Sequence, residues 1–147
     1  MFKKIVLAYD GSTFSAVALN QAAELARLHG AELHLIGIAT LSSGVAIAQS
    51  VGFVDVWGEE YAGLEAILQQ AVTDLRNQGL TVVSVVRSGE PAVEIAAYAH
   101  EIGASLVVLG HTGKGVLARW FQGSVGAKLL DHLPCSLLIV TSGAANS

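Results

Sequence analysis

One cysteine, Cys135, stands in 147 residues, so neither an internal disulfide framework nor a cysteine-based zinc site can be built. That fits a reducing compartment, and the cytoplasm is the expected location. Charge is scarce too: Asp, Glu, Lys and Arg make up 14% of the chain, with a formal sum of −4. The eight Lys and Arg are scattered and form none of the basic stripe that displaces counterions from a phosphodiester backbone, so nucleic-acid binding is not expected. Long apolar runs are missing despite a mean hydropathy of +0.56, and no stretch approaches the roughly 18 residues of a spanning helix. Lys3 and Lys4 look like the basic start of an export signal, but the apolar stretch Ile5 to Tyr9 stops at Asp10, short of the roughly 7 to 15 residues required. A soluble chain without membrane insertion is expected.

What is abundant is apolar: 52% of residues, enough to bury a core that offsets the entropy of ordering the chain. The length is close to the commonest single-domain size, so one domain over residues 1–147 is expected.

Five short apolar runs read as strands: Ile5 to Ala8, Leu33 to Ile38, Val82 to Val86, Leu106 to Leu109 and Leu137 to Val140. The first, fourth and fifth are apolar at every position, the pattern of strands covered on both faces of a parallel sheet. Helices fill the gaps. Ser12 to His29 is alanine-rich and stops at Gly30, while Leu64, Ile67, Leu68, Ala71, Val72 and Leu75 recur at helical spacing before Gly79. Pro91 opens a third helix, with Ile95, Ala96, Ala99 and Ile102 inward and Gly103 at its end. A fourth begins near Ser124, carries Val125 and Leu129, and is ended by Pro134. The order β-α-β-α-β-α-β-α-β predicts an α/β fold: an open five-stranded parallel sheet with right-handed crossovers and helices on both faces. Between these elements, Leu41 to Gly58 has no clear period and reads as a long loop, either a lid or a partner-packing or irregular segment containing a short helix.

In such sheets the ligand crevice opens at the carboxyl ends of the strands, where successive connections leave in opposite directions. With strand order 3-2-1-4-5 it lies between strands 1 and 4, so Asp10 and Gly110 are expected to follow their strands immediately and border it. Beyond strand 4 runs Gly110-His111-Thr112-Gly113-Lys114, continuing to Gly123-Ser124 at the start of the fourth helix. Glycines at 110 and 113 allow close approach of backbone to a phosphate chain. Gly123 and Ser124 add amide donors at a helix start, where the macrodipole favours anions. Lys114 and Arg119 are candidates to neutralise phosphate, although loop cations are commonly just solvated, and His111 stands open in the same way. Asp10 has a second reading as a helix cap or the shaper of an Asp-Gly turn, and Ser124 is a natural N-cap whatever it binds.

The spacing G-x2-G-x9-G-S between a strand and a helix resembles the ATP-binding signature of the universal stress protein family. Lys3 to Ser12 is similar to that family's opening strand and acidic turn, Gly89-Glu90-Pro91 to its lead-in to the third helix, and Leu133 to Val140 to its closing strand. Ser136 stands where the family usually has proline, and so does Ala8 among its nucleotide binders. The resemblance implies a Rossmann-like fold of the adenine nucleotide alpha hydrolase-like kind and a ligand that is ATP, ADP or AMP, with Mg²⁺ able to accompany it. It implies that Ala8, Tyr9 and Asp10 meet the nucleoside and that the Ile38 backbone reads the adenine edge. Leu109, Gly110, His111, Thr112 and Gly113 with Gly123, Ser124 and Val125 would hold ribose and phosphates. It implies as well a homodimer through strand 136–140, an edge that otherwise exposes unpaired hydrogen-bonding groups. A nucleotide-responsive regulatory protein in the stress response, with an unidentified protein partner, is the expected function. The rival is a dimeric adaptor or chaperone-like protein without nucleotide dependence.

Other nucleotide chemistries fit poorly. No window supplies the G-x4-G-K-[ST] phosphate loop. Gly113-x-Gly115-x-x-Ala118 lies outside the first βα turn that a dinucleotide fingerprint occupies. A phosphorelay receiver needs clustered acids at the end of strand 3, where Arg87 and Ser88 stand. No nucleophile-base pair is evident and Asp10 is the one carboxylate at the crevice, so catalytic residues are not expected beyond slow ATP hydrolysis, in which Asp10 would assist Mg²⁺ bound to the phosphates. His29, His34, His100 and His132 lack metal-ligand spacing and read as structural. Cys135 reads as a small apolar residue, and Trp57 and Trp120 as packing or dimer-contact groups.

Overall fold

A computed structural model describes residues 2–39, 56–111 and 129–141. Five strands form one parallel sheet in the order β3-β2-β1-β4-β5: β1 Lys4–Ala8, β2 Glu32–Ala39, β3 Val82–Ser88, β4 Leu106–His111 and β5 Ser136–Thr141. The expected order is thus the observed one. The helices are α1 Thr13–His29, α2 Val56–Asn77 and α3 Pro91–Ile102, with residues 129–132 helical ahead of β5. The start of that last helix lies outside the described residues.

Local chemistry explains the helix bounds. The Ser12 hydroxyl accepts from the Ser15 amide at the start of α1, and Gly30 closes it in the left-handed conformation that glycine adopts without strain. Pro91 opens α3, whose missing N–H has no partner to lose in a first turn, and Gly103 ends it in the same left-handed way as Gly30. Helix α2 begins two residues earlier than the expected loop ends, so Val56 to Gly58 are helical rather than part of it. The remainder of that loop, to residue 55, lies outside the described residues.

Alternation along the strands sorts the core into two layers. Ile5, Leu7, Leu33, Leu35 and Val108 face Ala18, Ala22, Leu68 and Val72 of α1 and α2. Val6, Ile36, Val107 and Leu109 face Ile95, Ala99 and Leu129 on the other side. Central strand β1 is buried from Ile5 to Ala8 because helices cover both its faces. Strand β5, also expected to be covered on both faces, is instead half-exposed, with Ile139 37% accessible. Among the described residues it pairs with β4 alone, and no further strand lies beyond it. Ile67 likewise departs from the expected inward stripe of α2 and is 41% exposed, at the margin between α2 and α1.

Candidate functional site

Strand β1 pairs with β2 on one side and β4 on the other, and these neighbours lie on opposite sides of the topological switch. The carboxyl ends of the three strands therefore gather Ala8, Tyr9, Asp10, Ile38, Leu109, Gly110 and His111 along one edge of the sheet. Thr112, Gly113, Lys114, Arg119, Gly123, Ser124 and Val125 lie outside the described residues, as does Trp120.

The Tyr9 amide donates to the Ile36 carbonyl at 3.0 Å, carrying the β1–β2 ladder one residue beyond the strand. The chain then turns at Asp10-Gly11. Asp10 Oδ1 accepts from the Ser12 amide and from the Ser15 hydroxyl, both at 2.9 Å. The N-cap of α1 is Ser12, so Asp10 shapes the turn rather than capping the helix. Partial desolvation pushes the Asp10 carboxyl upward, but the hydrogen bonds from Ser12 and Ser15 outweigh it and hold the carboxyl below its ordinary range. Asp10 is thus an anion at neutral pH, with one oxygen consumed by its own turn and Oδ2 without a bond among the described residues.

Ser15 is the member of this arrangement that sequence reasoning missed. Only 3% exposed, it ties the first turn of α1 to Asp10. The signal was present in Asp10-Gly-Ser12-x-x-Ser15, where a hydroxyl three residues after an N-cap can reach back over the turn.

Gly110 and His111 do not follow β4, as expected, but belong to it, paired with Val140 and Thr141. Gly110 has a packing reason for lacking a side chain: a Cβ there would lie 2.6 Å from the Phe14 carbonyl oxygen. The first turn of α1 rests directly on the end of β4, and this contact sets the distance between the Asp10 turn and the fourth strand. Ala8 and Leu109 are buried against the second core layer, and Ile38 is partly buried beside them. Tyr9 turns to the opposite face, where it packs partly buried against the first layer. Burial, then the Asp10 and Asp74 carboxylates, raise its phenol above the ordinary value.

Farther from this edge, His34 behaves as the structural histidine expected. It is 8% exposed, with Nδ1 2.9 Å from Tyr98 Oη and Nε2 3.2 Å from Glu32 Oε1. Arg87, at the strand end where a phosphorelay receiver needs acids, hydrogen-bonds Glu101 through both terminal guanidinium nitrogens, Nη1 and Nη2, and lies over the Tyr98 ring. Cys135 packs partly buried against the second layer, and burial raises its thiol pKa, in keeping with a small apolar role.

Solved structures that share this fold include a universal stress protein in complex with cAMP, at a TM-score of 0.65 and 24% identity over 95% of this chain and 96% of that one. A universal stress protein from Archaeoglobus fulgidus in complex with dAMP matches at a TM-score of 0.65 and 23% identity over 94% of this chain and 97% of that one. Among sequences, universal stress protein YxiE of Bacillus subtilis is 36% identical over 148 residues, covering 95% of this chain and 99% of its own. The model of the Universal stress protein family matches residues 1–141, and the chain belongs to that family.

Proposed function

We propose that the chain is an adenine-nucleotide-binding regulator of the stress response, with its ligand at the carboxyl ends of β1, β2 and β4. The observation that carries this reading is the divided carboxylate of Asp10. One oxygen is fixed by Ser12 and Ser15, and the other is left to accept from a donor such as a ribose hydroxyl. A charged acceptor already immobilised loses little freedom when a ligand arrives, and its bond to a hydroxyl is stronger than a neutral one. The cAMP and dAMP in the two related structures support an adenine nucleotide.

In this reading Ala8, Tyr9 and Ile38 border the base and nucleoside, and Leu109 to Gly113 with Gly123 to Val125 hold ribose and phosphates. Lys114 and Arg119 offset phosphate charge. Mg²⁺ would arrive with the polyphosphate, since such sites hold it through one or two carboxylates and the phosphates themselves. Among the described residues that end β1, β2 and β4, Asp10 is the carboxylate available for that task. The proposal extends to one domain over residues 1–147, a cytoplasmic location, a homodimer through β5 and a protein partner that senses the bound nucleotide.

Calorimetry with ATP, ADP and AMP tests the central claim. Binding of at least one of them is expected, with Asp10→Ala weakening it about tenfold or more for the loss of a charged hydrogen bond. No heat of binding from any of the three nucleotides would reject the reading.

A further inference from the structure

Helices α1 and α2 lie on the same face of the sheet yet hardly touch each other. Between them runs a groove of about 560 Å³, within the range that encloses small organic ligands. Small residues line it from both sides: Ala23 of α1 and Ala71 of α2, both buried, bring no long side chain to fill the space. Leu19 and Leu75 extend the apolar lining. The groove opens on the helix-covered face, whereas the nucleotide edge proposed above lies at the strand ends, and Tyr9 stands where the two adjoin.

Polar groups are distributed unevenly along it. Arg27 of α1 hydrogen-bonds Gln78, in the turn that follows α2, and so closes the groove at that end. Tyr9 enters from the carboxyl end of β1, and its hydroxyl has no partner among the described residues. Asp74 accepts from the Gln70 side-chain amide at 3.0 Å through Oδ1, leaving Oδ2 without a bond among the described residues. Neither Asp74 nor Glu24 has an ion-pair partner among the described residues. Two carboxylates, Glu24 and Asp74, therefore line the groove with one cation, Arg27, which bonds a neutral amide at the far end from Tyr9. Asp10 and Asp74 both act on the Tyr9 phenol, which places the Tyr9 region in a negative field.

We infer that this groove is a second small-molecule site, taking an organic ammonium ion whose apolar body lies on Leu19, Ala23, Ala71 and Leu75 and whose charge sits between Tyr9 and Asp74. An aromatic ring and a carboxylate together suit a substituted ammonium, the ring attracting the charge through its face and the carboxylate pairing with it. A carboxylic acid with the same apolar body meets like charge at the same seat.

Amide NMR of the full chain, titrated separately with 2-phenylethylammonium and with 3-phenylpropionate, tests the inference. Saturable shifts confined to residues 9, 19–27 and 67–78 are expected with the amine, at an affinity about fivefold above that of the acid, the size of one exposed charge interaction. Asp74→Asn, on the exposed side of α2, should remove most of that preference while leaving the far-ultraviolet circular dichroism unchanged. Replacing Gln70 by Trp, also exposed, should block the groove and abolish the shifts. Absence of saturable shifts with the amine, equal affinity for acid and amine, or a preference that survives in Asp74→Asn would each overturn it. ATP binding is read separately, so failure here leaves the nucleotide proposal standing and the converse holds too.

Discussion

Gly110 lies so close beneath Phe14 that a Cβ on it would sit 2.6 Å from the Phe14 carbonyl oxygen, well inside van der Waals contact. The obstacle is backbone at the start of a helix, which cannot rotate aside as a side-chain tip does. Gly110→Ala should therefore destabilise the chain by about 1–3 kcal/mol, the usual cost of overpacking, and shift the first turn of α1 away from β4. Urea unfolding measures the first effect and amide shifts of residues 10–15 the second. Wild-type stability in the variant would show that the two elements do not meet as described.

The Ser15 hydroxyl donates to Asp10 Oδ1 at 2.9 Å and accepts from the Asp10 amide at 3.5 Å. Ser15→Ala should cost about 1–3 kcal/mol, the loss of a buried hydroxyl that bonds the Asp10 turn. The Asp10 carboxyl should then titrate closer to its ordinary value, which carbon-13 NMR of the carboxyl reads directly. An unmoved titration would remove Ser15 from its positioning role.

The lowered Asp10 pKa fixes the direction of a pH effect. In the unfolded chain the carboxyl takes up its proton at a higher pH than in the fold, so the unfolded state binds more protons in between. The stability Asp10 supplies is present in full above the unfolded pKa and is lost as pH falls through the folded one. Urea midpoints of wild type and Asp10→Asn should differ at pH 7 and converge as the pH is lowered below the ordinary carboxylate range. A difference that grows on acidification contradicts the assignment.

Tyr98→Phe keeps the ring beneath Arg87 but strips His34 Nδ1 of its 2.9 Å partner. Because His34 is 8% exposed, the loss leaves a buried ring nitrogen unsatisfied, at about 1–3 kcal/mol. Equilibrium unfolding checks the cost, and no change would mean that water replaces the hydroxyl freely.

The half-exposed edge strand bears on assembly. Ile139, 37% accessible on β5, belongs to the surface that a partner strand would cover. Light scattering at micromolar concentration should report a dimer for the wild type and a monomer for Ile139→Glu. A wild-type monomer would defeat the proposed dimer.

Much of the architecture was legible because it depends on short-range patterning. Fully apolar runs such as Ile5 to Ala8 and Leu106 to Leu109 betray strands covered on both faces, and Gly30, Pro91 and Gly103 punctuate helices through their own backbone limits. The place of Asp10 followed from strand order. Its second reading, as the shaper of an Asp-Gly turn, is what the hydrogen bonds show, and they leave Oδ2 without a bond among the described residues.

Gly110 and Gly37 mark where such patterning runs out. Both look like permissive backbone in the sequence, yet each is a point of helix–sheet approach. A Cβ at Gly37 would come 2.9 Å from Leu64 Cγ and from Leu68 Cδ1. No local signal names the residue that will arrive opposite, because the meeting partners lie 27 and 96 positions away for Leu64 and Phe14 respectively. The groove between α1 and α2 was hidden for the same reason, since an alanine reads as helix former whether it packs against its neighbour or leaves a gap.

By itself the sequence determined the element order, the parallel sheet and the edge at which Asp10 stands, because backbone dihedral limits and hydrophobic period act within a few residues. Tertiary structure alone decided that Gly110 makes room for α1, that Ser15 reaches Asp10 and that Ala23 and Ala71 face an open groove. Those outcomes depend on the spacing between elements, which is set only when the helices settle on the sheet.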